Sequence, residues 1–376
     1  MMPDPGPLPS LSRARRYLDF WVGMFLGIPI AYPIPQIQPF AISAFALVAW
    51  RLRVSQRTVI LLGMLMSVSL ASSLLSTYFA QISAVRVVTS TVFFAFFLLG
   101  YGIDHYGAFL RGFGASTALL GTTIIIAFFA LGQYHNPELL FLSAVRRQWG
   151  TDIFPAWPNF LAFLLGLGML VHLVYLRSAL GAALTGVAAL VTTSRTALLV
   201  WAIAGVWLGV RWWHLRWSRI VAVTIVAVSG TGLIVVSWDG IRRVAQSEVV
   251  RHRLLRTSDR EAILDFSVGL VHEHPIMGVG HVLLNQDFGA PRSSFHSSYF
   301  DILIRHGTIG LLVWLALLIP IGRGRRYGPL WPFLLLFLIG SAFNTILRHP
   351  HLLMCYSALI VLGTRPTATA EWQSST

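Results

Sequence analysis

Apolar segments of about membrane-spanning length follow one another along most of the chain, and this succession dictates what it can fold into. A helix needs about 20 apolar residues to cross roughly 30 Å of hydrocarbon, within a range of about 17 to 25. Segments near that length lie at 18–34, 36–50, 58–79, 86–103, 113–134, 157–176, 178–193, 196–211, 219–237, 299–320, 329–347 and 350–364, divided by arginine, proline or glycine clusters. The sequence therefore predicts an all-α polytopic membrane protein of about twelve transmembrane helices. Several segments are short, and 178–193 with 196–211 is open to a different split or to a partly re-entrant pair. The first segment follows Arg13, Arg15 and Arg16 as a signal peptide would. Tyr32-Pro33-Ile34-Pro35 follows it in place of a small-residue cleavage site, so a retained anchor is expected.

Composition excludes the soluble alternatives. Of 376 residues, 56% are hydrophobic and 11% charged, with a mean hydropathy of +0.70; a soluble domain carries roughly 25% charged residues. So little polar surface could not cover a cytosolic or secreted enzyme of this size. The net charge of +14 would suit a nucleic-acid partner. The basic residues, however, are scattered between apolar runs and form no basic domain, so no nucleic acid is expected. All 28 of them are arginine. Cys355, the single cysteine, lies in an apolar run, which excludes a disulfide framework or a cysteine metal cluster.

Arginine bias in short loops orients such a chain. With the N-terminus cytoplasmic, the inner side holds 15 arginines against four acids and the outer side 13 against ten, net +11 and +3. Both termini are then cytoplasmic. Four regions follow: a transmembrane part over 1–237 with about nine spans, an outer hydrophilic segment over 238–298, a second transmembrane part over 299–364 with about three spans, and a polar tail over 365–376. The outer segment carries Arg242, Arg243, Arg251, Arg253, Arg256, Arg260 and Arg292 against the topological bias. A solvated loop neutralised by its own acids is one reading. The other is a site for an anionic group, since arginine forks bind phosphate bidentately. A shorter outer loop, 135–156, adds Arg146 and Arg147, with Trp149 and Trp157 placed as interfacial anchors.

Within 238–298, Ser258 and Glu261 have capping-box spacing, which predicts a helix start there. Ile263, Phe266 and Leu270 form an apolar stripe for the membrane domain, and Pro275 ends the helix. Arg260 falls in the first turn, where free amides and the helix dipole favour an anion; pairing with Asp259 or Glu261 is the alternative. Next come a glycine turn, His274-Pro275-Ile276-Met277-Gly278-Val279-Gly280, and Ser294-Phe295-His296-Ser297-Ser298-Tyr299, where the chain re-enters the membrane. Histidine titrates near neutrality and can take a proton from a hydroxyl, although a boundary histidine also serves structure. Gly307 and Gly310 have the spacing of close helix packing. Arg195, in Thr192-Thr193-Ser194-Arg195, stands at the outer junction of two spans as a functional candidate or a lipid-phosphate anchor. His272-Glu273-His274 lacks the i, i+4 metalloprotease spacing, and no phosphate-binding glycine loop or nucleophile elbow is present. No catalytic metal, cofactor or nucleotide is expected.

The order of these stretches resembles the O-antigen ligase and polymerase superfamily of bacterial envelope glycosyltransferases. The resemblance rests on Thr193–Leu199, Ser258–Glu261, His274–Gly280, and His296-Ser297-Ser298-Tyr299 leading to Arg305-His306-Gly307-Thr308-Ile309-Gly310-Leu311. It covers the second half of the chain; Ser297 replaces an asparagine frequent in the family. It implies a GT-C-like architecture in the bacterial inner membrane with a periplasmic site. The implied reaction is an inverting, metal-independent transfer of a preassembled glycan from undecaprenyl diphosphate to an acceptor hydroxyl. By the resemblance, Arg195 and Arg260 hold the diphosphate and His296 is the base, with Arg256, Tyr299 and Arg305 in support. The acceptor is lipid A–core for a lipopolysaccharide ligase, or a second lipid-linked glycan for an O-antigen or exopolysaccharide polymerase. A lipid or glycan transporter is the alternative from another class. It would predict polar residues near the midplane and repeated halves, and neither is visible.

Overall fold

The computed structural model describes residues 9–28, 39–75, 97–130, 158–192, 194–212, 258–281, 297–318, 331–343 and 350–364. Every regular element among them is a helix: α1 (Pro9–Leu26), α2 (Pro39–Ala49), α3 (Gln56–Leu74), α4 (Tyr106–Ala130), α5 (Pro158–Val171), α6 (Ala179–Val191), α7 (Arg195–Trp212), α8 (Ser258–Glu273), α9 (Ser298–Leu318), α10 (Trp331–Phe343) and α11 (Pro350–Thr364). A 3-10 turn, Phe97–Gly102, precedes α4, and α5 runs on into a π-turn, His172–Leu176, closed by Arg177 in the left-handed conformation (φ 51°). Ten of the apolar segments hold one α-helix each, and α8 is the helix expected from the capping pattern. Segment 219–237, most of 86–103, the 135–156 loop, the tail, and Arg242, Arg243, Arg251, Arg253, Arg256, Arg292 and His296 lie outside the described residues.

Among the described residues, four helical stretches, Gln56–Leu74, Tyr106–Ala130, Asn159–Leu176 and Ser298–Leu317, are long and apolar enough to cross a membrane. Their surroundings explain why they suit lipid. On α3 the buried stripe is Thr58, Leu62, Leu65, Ser69, Ser72 and Ser73, while Val59, Ile60, Met64 and Leu70 are exposed. Thr58 and three serines thus face the protein beside Leu62 and Leu65, while the outward face is largely aliphatic, unlike a helix on a water-soluble surface. The pair 178–193 and 196–211 is two helices, with α6 ending at Val191 and the Ser194 hydroxyl accepting from the Thr196 amide to start α7. At 13 residues α6 is about 20 Å long, shorter than a bilayer core.

Packing begins with glycine. A Cβ on Gly23 of α1 would strike the Phe109 carbonyl, and one on Gly112 of α4 would strike that of Phe20, so the two backbones meet where neither carries a side chain. Asp19 joins this pair to α2: its Oδ1 accepts from Arg51 at 2.8 Å and its Oδ2 from the amides of Asp104 and His105 at 3.2 and 2.7 Å. Arg15 and Arg51 also face Asp104, at 3.5 and 3.6 Å, so the buried charges of Asp19 and Arg51 are matched. α4 packs on α5 and α6, α5 on α7, and α10 on α7, α9 and α11. Phe337 ties the last three elements, its ring 4.2 Å from Tyr356 and 6.3 Å from Trp314 between centroids. α3 packs along α9, with Arg57 near the Ala316 carbonyl and Ser72 near His306, so the two helices run antiparallel.

Candidate active site

The candidate residues stand where helices begin. Arg195 is the first residue of α7, and the start of that helix is fixed from two sides. The Ser194 hydroxyl donates to Asn159 Oδ1 at 2.5 Å and accepts from the Thr196 amide at 3.1 Å, while Thr196 is itself buried. Arg260 is the third residue of α8. His296 directly precedes Ser297, whose hydroxyl accepts from the Phe300 amide at 3.4 Å and whose carbonyl accepts from Asp301 at 3.0 Å, opening α9. The first turn of a helix presents unpaired amides and the positive end of its dipole, a setting that favours an anion. α8 rests on α9 through the face bearing Ser267 and Leu270, both buried, with Phe266 half-buried beside them. The stripe expected from Phe266 and Leu270 therefore meets the membrane-type helices. α9 is tied to α10 by Tyr299, whose hydroxyl donates to the Leu338 carbonyl at 3.0 Å, and α10 also packs on α7.

Behind these helix starts, α9 is broken at Gly307 (φ 63°, ψ −169°). This corrects the expectation that Gly307 pairs with Gly310 as a helix-packing notch, because a positive φ cannot continue a helix. In an unbroken helix Thr308 and Ile309 would donate to the carbonyls of Ile304 and Arg305. Here those carbonyls accept instead from the amides of Val279 at 2.8 Å and Gly280 at 3.0 Å. The amides of Thr308 and Ile309 in turn donate to the carbonyls of Pro275 at 2.9 Å and Ile276 at 3.4 Å. The turn after α8 is thus inserted into α9 and satisfies these four backbone groups. Gly278, at φ 69°, makes the insertion possible, since a Cβ there would strike the Ile304 carbonyl and lie 2.6 Å from the Arg305 carbonyl carbon. A Cβ on Gly307 would strike the Ile276 carbonyl.

Polar side chains surround the insertion. His281 Nε2 lies 2.9 Å from the Ser69 hydroxyl, and His306 Nδ1 lies 3.4 Å from that of Ser72. The His281 amide donates to Ser73 Oγ at 3.3 Å, and the hydroxyls of Ser72 and Ser73 both donate to the Ser69 carbonyl at 3.0 Å. The two imidazoles meet edge to face, with centroids 5.0 Å apart. One turn before the break, Arg305 Nε donates to Asp301 Oδ1 at 3.1 Å, and both side chains are buried. Arg305 therefore stands within the protein beside its carboxylate partner, and Tyr299 reaches α10.

His281 and the serines of α3 escaped the sequence reading. The available signal was the i, i+3, i+4 spacing of Ser69, Ser72 and Ser73 on one face of an apolar helix.

The architecture is that of an all-helical protein with, among the described residues, four stretches long and apolar enough to cross a membrane. Residues 180–315 match the family model described as O-antigen ligase and form a domain of that family. The match runs from α6 to α9 and contains Arg195, Arg260, His296 and the inserted turn. The family is membrane-bound and implies lipid-linked glycans as substrates. No curated protein matches the chain.

Proposed function

We propose that the protein is an inverting, metal-independent glycosyltransferase that moves a preassembled glycan from undecaprenyl diphosphate to an acceptor hydroxyl on the periplasmic face of the bacterial inner membrane. The observation that carries this reading is the common placement of the three candidates. Arg195 opens α7, Arg260 lies in the first turn of α8, and His296 immediately precedes the start of α9, all within the matched domain. His296 takes the proton of the acceptor hydroxyl, whose oxygen attacks the anomeric carbon. The bond from that carbon to the phosphate oxygen breaks, and undecaprenyl diphosphate leaves with the bonding pair. Arg195 and Arg260 meet the growing negative charge on the leaving group, a stabilisation that is strong in a site from which water is excluded. Arg256, Tyr299 and Arg305 support the site.

Twelve spans, a GT-C-like arrangement and cytoplasmic termini belong to the same proposal. Arg15, Asp19, Arg51 and Asp104, all assigned to the cytoplasmic side, gather in one cluster. From Arg51 the chain enters α3, and Ser69 to Ser73 meet the inserted turn near the opposite end of that helix, some 25 Å away. That separation fits opposite membrane faces for the ion cluster and the site.

The deciding experiment is a reconstituted transfer assay without nucleotide, using undecaprenyl-diphosphate-linked glycan as donor and lipid A–core as acceptor. Ligase activity yields glycosylated lipid A–core. Elongated lipid-linked glycan without it would mark the polymerase instead, and transbilayer movement of donor without transfer would overturn the enzyme reading.

A further inference from the structure

The inserted turn and the cluster around it are more than a way of closing the fold. The break at Gly307 removes the helical hydrogen bonds from Thr308 and Ile309 to Ile304 and Arg305, which would otherwise help to fix Ser298–His306 to the rest of α9. That half-helix is held by the backbone bonds to 275–280, by Tyr299 on α10 and by His306, which reaches Ser72 of α3, while His281 of the inserted turn reaches Ser69 beside it. α3 lies outside the matched 180–315, so these contacts tie the domain to the first half of the chain. Ser69, Ser72, Ser73, His281 and His306 are each at most 3% exposed. Burying so many polar groups costs free energy unless each is satisfied, and an aliphatic cluster could fill the same space without that condition. What hydrogen bonds add is direction: an imidazole held at one nitrogen has one orientation, whereas an apolar contact tolerates sliding.

We infer that His281 and His306, held by Ser69 and Ser72, are positioning residues that fix the half-helix Ser298–His306, and through it the group that leads into its first turn, for the transfer step. This deepens the proposed function and rests on the reading of His296 as the base. Neither histidine handles the transferred proton. Each serves as a hydrogen-bonding strut whose loss misplaces a reacting group by a fraction of a helical turn, and misplacement of about 1 Å can cost on the order of 10²-fold in rate.

The test is the reconstituted assay on the full-length protein in liposomes, with undecaprenyl-diphosphate-linked glycan and lipid A–core, reading kcat and donor KM separately. His281→Ala and His306→Ala should lower kcat by on the order of 10²-fold with donor KM unchanged. His281→Gln puts an amide near the Nε2 position and His306→Asn puts one near Nδ1, so both should recover most of the rate. Ser69→Ala should add little to His281→Ala, because the two remove one interaction. Amide variants as inactive as the alanine variants would overturn the inference, since a strut does not need an imidazole. So would full kcat in both alanine variants beside an inactive His296→Ala. Near-normal transfer by His296→Ala would instead overturn the base reading, whatever the cluster does. If the alanine variants do not fold, Ser69→Ala and Ser72→Ala, which lose only a hydroxyl, carry the same expectation of lowered kcat, and unchanged kcat in both would overturn it.

Discussion

The amide of Val279 donates to the carbonyl of Ile304 at 2.8 Å, taking the acceptor that a continuous helix would give to Thr308. One hydrogen bond thereby belongs to two elements, the turn after α8 and the middle of α9. The turn and the half-helix cannot move independently without exposing backbone groups inside the protein, where unpaired amides and carbonyls are costly. The His274–Gly280 turn and the stretch that follows His296 are thus one structural unit, with Arg260 on the helix that enters it and His296 before the half-helix that leaves it.

Gly307→Ala should break this unit. The substitution puts a side chain at φ 63° and drives a Cβ into the Ile276 carbonyl. With ψ at −169° this is a backbone region open in practice only to glycine, so the strain alone costs about 1–3 kcal/mol, and the clash adds to it. Thermal unfolding in detergent should show a clear loss. Gly205→Ala, on α7 where an added Cβ meets nothing within 4 Å, should leave the melting temperature nearly unchanged. Equal stability of the two variants would contradict the inserted-turn geometry.

Asp301 and Arg305 give a second stability test. Removing one partner of a buried ion pair leaves the other uncompensated, typically at about 3–5 kcal/mol. Asp301→Ala should therefore be strongly destabilised in chemical denaturation. Asp301→Ala combined with Arg305→Met should recover much of the loss, because no charge is then buried alone. A double variant no more stable than the single one would mean that Arg305 draws its compensation from elsewhere.

How much of this was legible beforehand follows from the range of each interaction. The helices were readable because apolar runs and caps are local: Ser258 and Glu261 marked the start of α8, and Pro275 its end. The insertion was not readable, because its bonds join backbone groups 25 and 33 residues apart, and Gly307 has the same spacing to Gly310 whether it packs a helix or breaks one. The role of the α3 serines was hidden for a similar reason. Their partners, His281 and His306, lie more than 200 residues away. A serine in an apolar helix is ordinary until the opposing side chain is known. Arg305 was named only as a supporting residue through the family resemblance; its partner Asp301, one turn earlier, was visible in the sequence, but the burial of the pair was not.

Topology has a direct test. In a Cys355→Ser background, Arg251→Cys should react with a membrane-impermeant maleimide in intact spheroplasts, and Arg323→Cys only after permeabilisation. Protection of position 251 would turn the site towards the cytoplasm and remove the basis for a periplasmic transferase.

The arginines and the histidine should separate by what each variant loses. Arg195→Ala and Arg260→Ala should weaken retention of undecaprenyl-diphosphate-linked glycan in detergent, because each removes a donor from the diphosphate. Arg260→Lys should rescue poorly, since an ammonium cannot reproduce the planar fork that meets two phosphate oxygens at once. His296→Ala should keep donor retention and lose about 10²–10⁴-fold in turnover, the usual cost of removing a general base. The contrast matters more than any single value. A histidine needed only for folding would lose expression, donor retention and turnover together, whereas a base loses turnover alone. A well-folded His296→Ala protein that transfers glycan at a near-normal rate would strike it from the mechanism. Unchanged donor retention and turnover in both arginine variants would do the same for the diphosphate grip.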